Sequence, residues 1–109
     1  MSQVSKTNVN NGILAFKNLV HQLYGEDLER VILFGSQARG DAKEDSDVDI
    51  LIVTQKHLSL DRREKLIAFI SDLAINHNIL INFMEMSPQR FNSERSPLLL
   101  NIRREGIVL

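Results

Sequence analysis

The sequence predicts one α/β or α+β domain, in which helices pack against a small central sheet. Two continuous apolar runs, Val31–Phe34 and Ile50–Val53, are typical of strands that are covered on both faces. Between Ile13 and Leu23, apolar residues instead recur every three to four positions, as they do along one face of a helix. Continued along the chain, these patterns give the order helix, strand, strand, helix, strand, helix.

The composition narrows the classes to which the domain can belong. A chain of 109 residues suffices for one core, and we expect a flexible tail at 1–9 followed by a single domain at 10–109. The chain contains no cysteine, so neither a disulfide nor a thiolate zinc site can form. The longest apolar run, Leu66–Ile70, is far shorter than the ~20 residues that cross a bilayer, so we expect a cytoplasmic protein with no membrane partner. A formal net charge of −1 argues against direct binding to a nucleic-acid polymer.

In the first half of the chain, helices and strands surround one glycine-serine turn. Gly25 can end the first helix, and Gly35-Ser36 interrupts the first strand abruptly. After this turn, Ser36–Arg39 can form a short helix. The second strand follows an acidic loop and is predicted at Asp47–Thr54.

The second half of the chain begins with a longer helix. Asp61–Glu64 has the pattern of a capping box and opens a helix that we expect to reach Asn76. Ile79–Met84 alternates too little for a half-exposed strand, so it predicts a covered strand of the central sheet. Serine-proline pairs then predict a short helix near Gln89–Phe91 and another at Pro97–Glu105.

Four residues near the first turn together indicate a nucleotide site. Glycine at position 35 allows a ligand to approach the backbone, and a helix that opens at Ser36 directs N–H groups toward an anion such as phosphate. Asp47 and Asp49 point to one face of their strand, because side chains alternate with a period of two. Two neighbouring carboxylates repel each other unless a cation lies between them, and their oxygens favour Mg²⁺. A magnesium site beside a phosphate-binding turn implies a nucleotide.

Two known motifs share part of this pattern but fail at their remaining positions. Gly35–Gly40 has the glycine spacing of a P-loop, yet Asp41-Ala42 stand where that motif requires Lys and then Ser or Thr. The acids from Asp45 to Asp49 match the start of an EF-hand loop, but Ile50 replaces its glycine. A solvated turn at Asp41–Ser46, whose acids only keep a sheet edge soluble, remains the alternative to a functional site.

Arg39 and Lys43 are the cations nearest to the proposed phosphates in the sequence. The guanidinium of Arg39 could bind phosphate with two parallel hydrogen bonds, or it could pair with one of the acids that follow it. The sequence leaves both options open for Arg39, whereas we expect Lys43 to face solvent.

The combined pattern resembles a known family. Gly35-Ser36, ten further residues and then Asp47-Val48-Asp49 between apolar strands is similar to the signature of the nucleotidyltransferase superfamily that includes DNA polymerase beta. The closing Arg104–Ile107 also resembles the minimal, single-domain branch, the minimal nucleotidyltransferase (MNT) domain. The resemblance covers residues 10–109 and implies the polymerase beta-like fold, a small mixed sheet with helices packed against it.

The resemblance also implies roles for individual residues. Glycine and serine hold the triphosphate in that family, which corresponds to Gly35 and Ser36, with Arg39 as a further nucleotide contact. The paired aspartates of the family, here Asp47 and Asp49, bind Mg²⁺, with Mn²⁺ as a substitute.

The third carboxylate of the family site is missing from its usual position. The family pattern aligns Asn82 there, and an amide supplies no negative charge. Glu85 lies three residues further on, hence on the opposite face of a regular strand, and could replace the missing group only through a bulge.

By resemblance, the chain transfers AMP from MgATP to a protein acceptor. MNT domains are typically paired with HEPN-family proteins, many of them ribonuclease toxins, so we expect an antitoxin that binds or AMPylates a HEPN partner. Because the third carboxylate is absent, the alternative is a catalytically impaired nucleotide-binding module or a purely protein-binding one. The acidic loop Asp41–Asp49 could face a basic partner surface, and self-association through an exposed sheet edge is the rival arrangement.

Overall fold

The computed structural model describes residues 6–40 and 47–109, which form a four-stranded sheet with helices on both faces. One 3₁₀ turn at Gly25–Asp27 joins the first helix to the first strand. The helices and strands, in chain order, are α1 Lys6–Tyr24, β1 Leu28–Phe34, α2 Ser36–Arg39, β2 Val48–Thr54, α3 Leu60–His77, β3 Ile81–Met86, α4 Pro88–Ser93, α5 Pro97–Glu105 and β4 Ile107–Val108.

The sheet has the strand order β3-β2-β1-β4 and is mixed. β1 pairs antiparallel with both β2 and β4, whereas β2 pairs parallel with β3. Parallel neighbours need a crossover connection, which α3 supplies between β2 and β3. The predicted fold class, a small mixed sheet with helices packed against it, is confirmed.

Alternating side chains of the central strands enter two separate cores. One face packs under α1 and α3, where Phe16 and Leu66 meet Ile50 and Ile52 of β2. The other face packs under α4 and α5 through a second set of buried residues: Ile32, Leu51, Val53, Phe91, Leu99 and Ile102. β2 therefore lies between two layers of helices, which position the acidic residues at its start.

Serine side chains cap the helices that follow β2 and β3. Ser59, Ser87 and Ser96 each accept a hydrogen bond from the backbone N–H three residues further on. The serine-proline signals for α4 and α5 are thereby confirmed. The predicted capping box at Asp61 is wrong, because Ser59 already occupies the N-cap and places Asp61 inside the first turn.

Two element boundaries differ from the sequence-based expectation. α1 begins at Lys6, because Val9 packs against the core and extends the apolar stripe by one turn toward the N-terminus. The helix therefore includes part of the tail predicted at 1–9, and residues 1–5 lie outside the described part. β1 begins at Leu28 rather than at Val31.

β3 was expected to be covered, and this prediction is wrong. It lies at one edge of the sheet, and its burial alternates, with Asn82 exposed and Met84 36% exposed on the face of α4 and α5. The prediction failed because an apolar run can occur both in a central strand and in an edge strand. In β3, one face still packs against α1 and α3. Within the described ranges, no helix is both long and apolar enough to cross a membrane.

Candidate functional site

The candidate site is built around the turn between β1 and α2. Gly35 follows β1 and has φ 76° and ψ −157°, a conformation that is essentially restricted to glycine. A Cβ atom on Gly35 would lie 2.5 Å from Oδ2 of Asp49, so the missing side chain allows this carboxylate to lie against the turn. The N–H groups of Ala38 and Arg39 both donate to the Gly35 carbonyl and begin α2. The turn and one predicted metal-binding carboxylate are thus in direct contact.

The predicted short helix after the turn is present. Gly40 caps the C-terminus of α2; it adopts a left-handed conformation and donates its N–H to the Ser36 carbonyl. The N–H groups of Ser36 and Gln37 come before the first helical hydrogen bond, where a helix offers its N–H groups to other partners. The predicted glycine turn that opens directly into a helix is therefore confirmed.

Asp47 and Asp49 lie on either side of Val48 at the start of β2. Val48 is buried in the core under α1 and α3, so the alternation of the strand directs Asp49 to the opposite face, as predicted. Asp49 is paired with Phe34 of β1 on one side and with Asn82 of β3 on the other. Asp47 is exposed and Asp49 is half-buried.

Asn82 contacts the aspartate pair directly. Its Nδ2 atom donates a hydrogen bond of 2.7 Å to Oδ2 of Asp47, and its backbone lies opposite Asp49 in the parallel register. The position at which the family pattern expects a third carboxylate is therefore next to both aspartates. An amide donor occupies it instead of an anionic acceptor.

Glu85 points to the other face of the sheet and forms part of a different cluster. The register between β2 and β3 is continuous, so no bulge brings Glu85 toward the aspartates. Its carboxylate accepts a hydrogen bond from the Tyr24 hydroxyl, lies 2.9 Å from Nδ1 of His57 and lies 3.7 Å from Nη1 of Arg63. Burial first, and then the hydrogen bond and charge of Glu85, raise the pKa of the Tyr24 phenol. This cluster fastens α1 and α3 to the sheet.

Arg39 lies at the end of α2 and pairs with a residue that the sequence reasoning did not single out. Nη1 of Arg39 lies 3.5 Å from Oε2 of Glu105, the last residue of α5. The sequence predicted either a phosphate or one of the following acids as the partner of Arg39, and not this distant glutamate. Glu105 nevertheless belongs to the closing segment on which the family resemblance partly rests. Lys43 and the acids at 41–46, including the proposed partner-facing part of the loop, lie outside the described residues.

The side chains at the end of the sheet fit a hard divalent cation. Two carboxylates and one amide converge there, and their oxygen atoms are the ligands that Mg²⁺ and Mn²⁺ accept. In the described ranges, no group of three or more His, Cys, Asp or Glu side chains converges to hold a metal ion. Among the described carboxylates, Asp47 and Asp49 are therefore the pair that could hold such a cation.

A concavity lies on the other side of the molecule. It has a volume of about 660 Å³ and lies between α1 and α3, where Gly12, Phe69 and Leu73 form part of its wall. Asparagine side chains from both helices surround it. The end of the sheet is the candidate site, because the carboxylates and the glycine turn meet there.

Sequence comparison gives two kinds of match. Residues 14–102 match the family model described as the nucleotidyltransferase domain. Two proteins from Methanocaldococcus jannaschii, each provisionally named a protein adenylyltransferase, are also similar. One is 33% identical over 103 residues, which span 94% of this chain and 98% of that protein. The other is 41% identical over 70 residues, which span 64% and 71% of the two chains.

Solved structures share the fold at low sequence identity. A structure provisionally described as a minimal nucleotidyltransferase matches with a TM-score of 0.60 and 24% identity, over 93% of this chain and 95% of that chain. A toxin–antitoxin crystal structure with AMP-PNP matches with a TM-score of 0.59 and 21% identity, over 90% and 69%. A complex of a tri-AMPylated Shewanella oneidensis HEPN toxin with an MNT antitoxin matches with a TM-score of 0.55 and 17% identity, over 91% and 69%.

Proposed function

The chain belongs to the nucleotidyltransferase domain family, and we propose that it transfers AMP from ATP to a hydroxyl group of a partner protein. In this reaction the hydroxyl oxygen bonds to the α-phosphorus, the bond from that phosphorus to the β-phosphate bridging oxygen breaks, and pyrophosphate leaves with the electron pair. The observation that carries the proposal is the direct contact between the Gly35 turn and the Asp49 carboxylate. It joins an anion-binding backbone to a cation-binding side chain.

Asp47 and Asp49 would hold Mg²⁺, or Mn²⁺ in its place. When bound, this cation supplies positive charge that stabilises the negative charge on the reacting phosphates. Gly35 and Ser36 orient the triphosphate through backbone N–H groups, and the Ser36 hydroxyl adds a further donor. The turn fixes the phosphates relative to the carboxylates, because Asp49 lies against its backbone.

Two further side chains complete the proposed assignment. Arg39 extends from α2 beside the turn and binds a phosphate oxygen, while Glu105 holds its guanidinium at the end of α5. Asn82 offers no base, because a neutral amide does not accept a proton near neutral pH, so the hydroxyl proton of the acceptor passes to water. We expect transfer to be slow for this reason.

We propose that the acceptor belongs to a HEPN-family protein and that this chain acts as its antitoxin in the cytoplasm. Two similar folds support this partner, one in a toxin–antitoxin structure with AMP-PNP and one in a complex with a tri-AMPylated HEPN toxin. Asp47 is exposed at the end of the sheet, so a hydroxyl group of a partner protein can approach the site from solvent.

Intact-protein mass spectrometry tests the proposal. The chain is incubated with MgATP and a candidate HEPN-family protein, and this partner is expected to gain the mass of one or more AMP units. Asp47→Ala and Asp49→Ala should each reduce transfer at least about hundredfold, because the cation loses half of its carboxylate ligands. Asp72→Asn removes an exposed acid on α3 and is expected to leave transfer unchanged. Undiminished transfer by Asp47→Ala would contradict the mechanism.

The amide at position 82 favours a second candidate, a module that binds nucleotide or protein without transfer. Calorimetry with ATP, with and without Mg²⁺, separates the cases: binding without turnover supports a nucleotide-binding module, and no binding leaves a protein-binding one. Ile107 and Val108 are exposed on the edge strand β4, so self-association is the rival to a HEPN partner. Gel filtration of the chain alone distinguishes a dimer from a monomer.

A further inference from the structure

We infer that Asn82 limits the site to one divalent cation, which enters with the nucleotide and is not joined by a second metal ion. This inference rests on the proposed nucleotide site and specifies how many metal ions it takes. Asn82 is the third polar side chain at this end of the sheet, opposite Asp49 in the register and 2.7 Å from Oδ2 of Asp47 through its Nδ2 atom. Its chemistry therefore sets the charge of the whole group.

The charge of the group matches one divalent cation. Asp47 and Asp49 together carry two negative charges, and Asn82 adds none. Metal ions in two-metal sites lie about 3.5–4 Å apart, and two dications repel each other about four times as strongly as two unit charges at the same distance. Additional carboxylates normally offset this repulsion. Among the described residues, no third His, Cys, Asp or Glu joins the pair.

The direction of the Asn82 hydrogen bond further disfavours a second ion. Its amide directs an N–H toward Asp47, whereas a carboxylate at the same position would direct an acceptor oxygen toward a metal ion. The two aspartates consequently differ in their surroundings: Oδ2 of Asp49 lies against the Gly35 turn, and Oδ2 of Asp47 is bonded to Asn82. The single cation belongs on the side of the turn, where the phosphates add further oxygen ligands.

The acid that follows Asn82 in β3 cannot replace the missing ligand by a small movement. Glu85, the acid of the same strand, lies on the opposite face and is bonded to Tyr24 and close to His57. The Glu85 side chain is only 8% exposed. It could reach Asp47 only if the two faces of β3 were exchanged, which the continuous pairing of β3 with β2 prevents. The limit to one ion is therefore built into the strand.

Electron paramagnetic resonance of free Mn²⁺ counts the bound ions. The protein is saturated with α,β-methylene ATP, which cannot release pyrophosphate, and calorimetry on the same samples counts the bound nucleotide. The wild-type chain is expected to bind one Mn²⁺ per nucleotide and Asn82→Asp two. Asn18→Asp is the matched control, since it adds the same charge at an exposed position of α1, on the other face of the sheet, and should still bind one.

The same samples without nucleotide provide an independent comparison. Asn82→Asp should bind Mn²⁺ alone about tenfold or more tightly than wild type, whereas Asn18→Asp should not. Two ions per nucleotide in wild type, or one in Asn82→Asp, would overturn the inference. If the analogue does not bind, the proposed nucleotide site is wrong. The inference about Asn82 is then decided by the measurements without nucleotide: equal Mn²⁺ affinities of wild type and Asn82→Asp would overturn it.

Discussion

Gly35→Ala is the substitution that most directly perturbs the contact on which the site depends. The new Cβ atom would lie 2.5 Å from Oδ2 of Asp49, whereas ordinary contacts of this kind begin near 3.4 Å. The carboxylate must therefore move by about 0.9 Å, the difference of these two distances, or the turn must shift by as much. A misplacement of about 1 Å can cost about hundredfold in rate, so we expect transfer to fall by that factor.

The same substitution also strains the backbone, and this effect needs its own control. A side chain in the conformation of Gly35 costs about 1–3 kcal/mol, which for a domain of this size lowers Tm by about 4–8 °C per kcal/mol. Gly25 also has a positive φ, 61°, but a Cβ atom there meets nothing within 4 Å among the described residues. Gly25→Ala therefore carries backbone strain without touching the site.

The two variants are compared by thermal unfolding and by AMP transfer under single-turnover conditions. Both are expected to lose stability, and only Gly35→Ala is expected to lose transfer and affinity for MgATP. The comparison is made well below the Tm of each variant, so that unfolding does not contribute. If Gly35→Ala transfers AMP as fast as Gly25→Ala, the contact between the turn and Asp49 is not what positions the carboxylate.

The remaining predictions concern stability. Tyr24→Phe should destabilise the fold by about 1–3 kcal/mol, because the Glu85 carboxylate loses a buried hydrogen-bond donor. Urea unfolding at neutral pH measures this loss, and an unchanged unfolding midpoint would contradict the buried hydrogen bond. Because the pKa of the Tyr24 phenol is raised in the folded state from its ordinary value of 10.0, wild-type stability should fall above pH 10 by up to about 1.4 kcal/mol per pH unit. Tyr24 is the sole tyrosine, so phenolate absorbance follows it directly, and a Tyr24→Phe variant with the same decline would refute the assignment. Ser59→Ala should lower the free energy of unfolding by about 1 kcal/mol, and by more than Asp61→Ala does, since Ser59 is the N-cap of α3. A larger loss in Asp61→Ala would instead support the capping box at Asp61.

The local patterns in the sequence predicted the elements that build the site. The apolar runs identified β1 and β2, and strand alternation correctly put Asp49 on the face opposite to Val48 and Glu85 on the face opposite to Asn82. These features depend on the period of a strand, which neighbouring residues determine. The same holds for Gly35, whose conformation is set within the turn itself.

Features that depend on distant residues could not be predicted. Nothing in the run Ile79–Met84 indicates that β3 has a neighbour on one side only, which is why its exposure was missed. The pairing of Arg39 with Glu105 likewise requires the end of α5 to lie beside α2, a consequence of how β1 and β4 pair. The early start of α1 was missed because asparagines surround Val9 and mask the apolar stripe.

The central claim is that nucleotide and cation bind together at the Gly35 turn. Nuclear magnetic resonance of isotope-labelled protein with α,β-methylene ATP and Mn²⁺ tests it directly, because the paramagnetic ion broadens the signals of nearby amides. We predict the strongest broadening at Gly35, Ser36, Asp49 and Asn82, and weaker broadening at the amides of Gly12 and Leu73 on the other face of the sheet. Broadening centred on the concavity between α1 and α3, with Gly35 and Asp49 unchanged, would contradict the account.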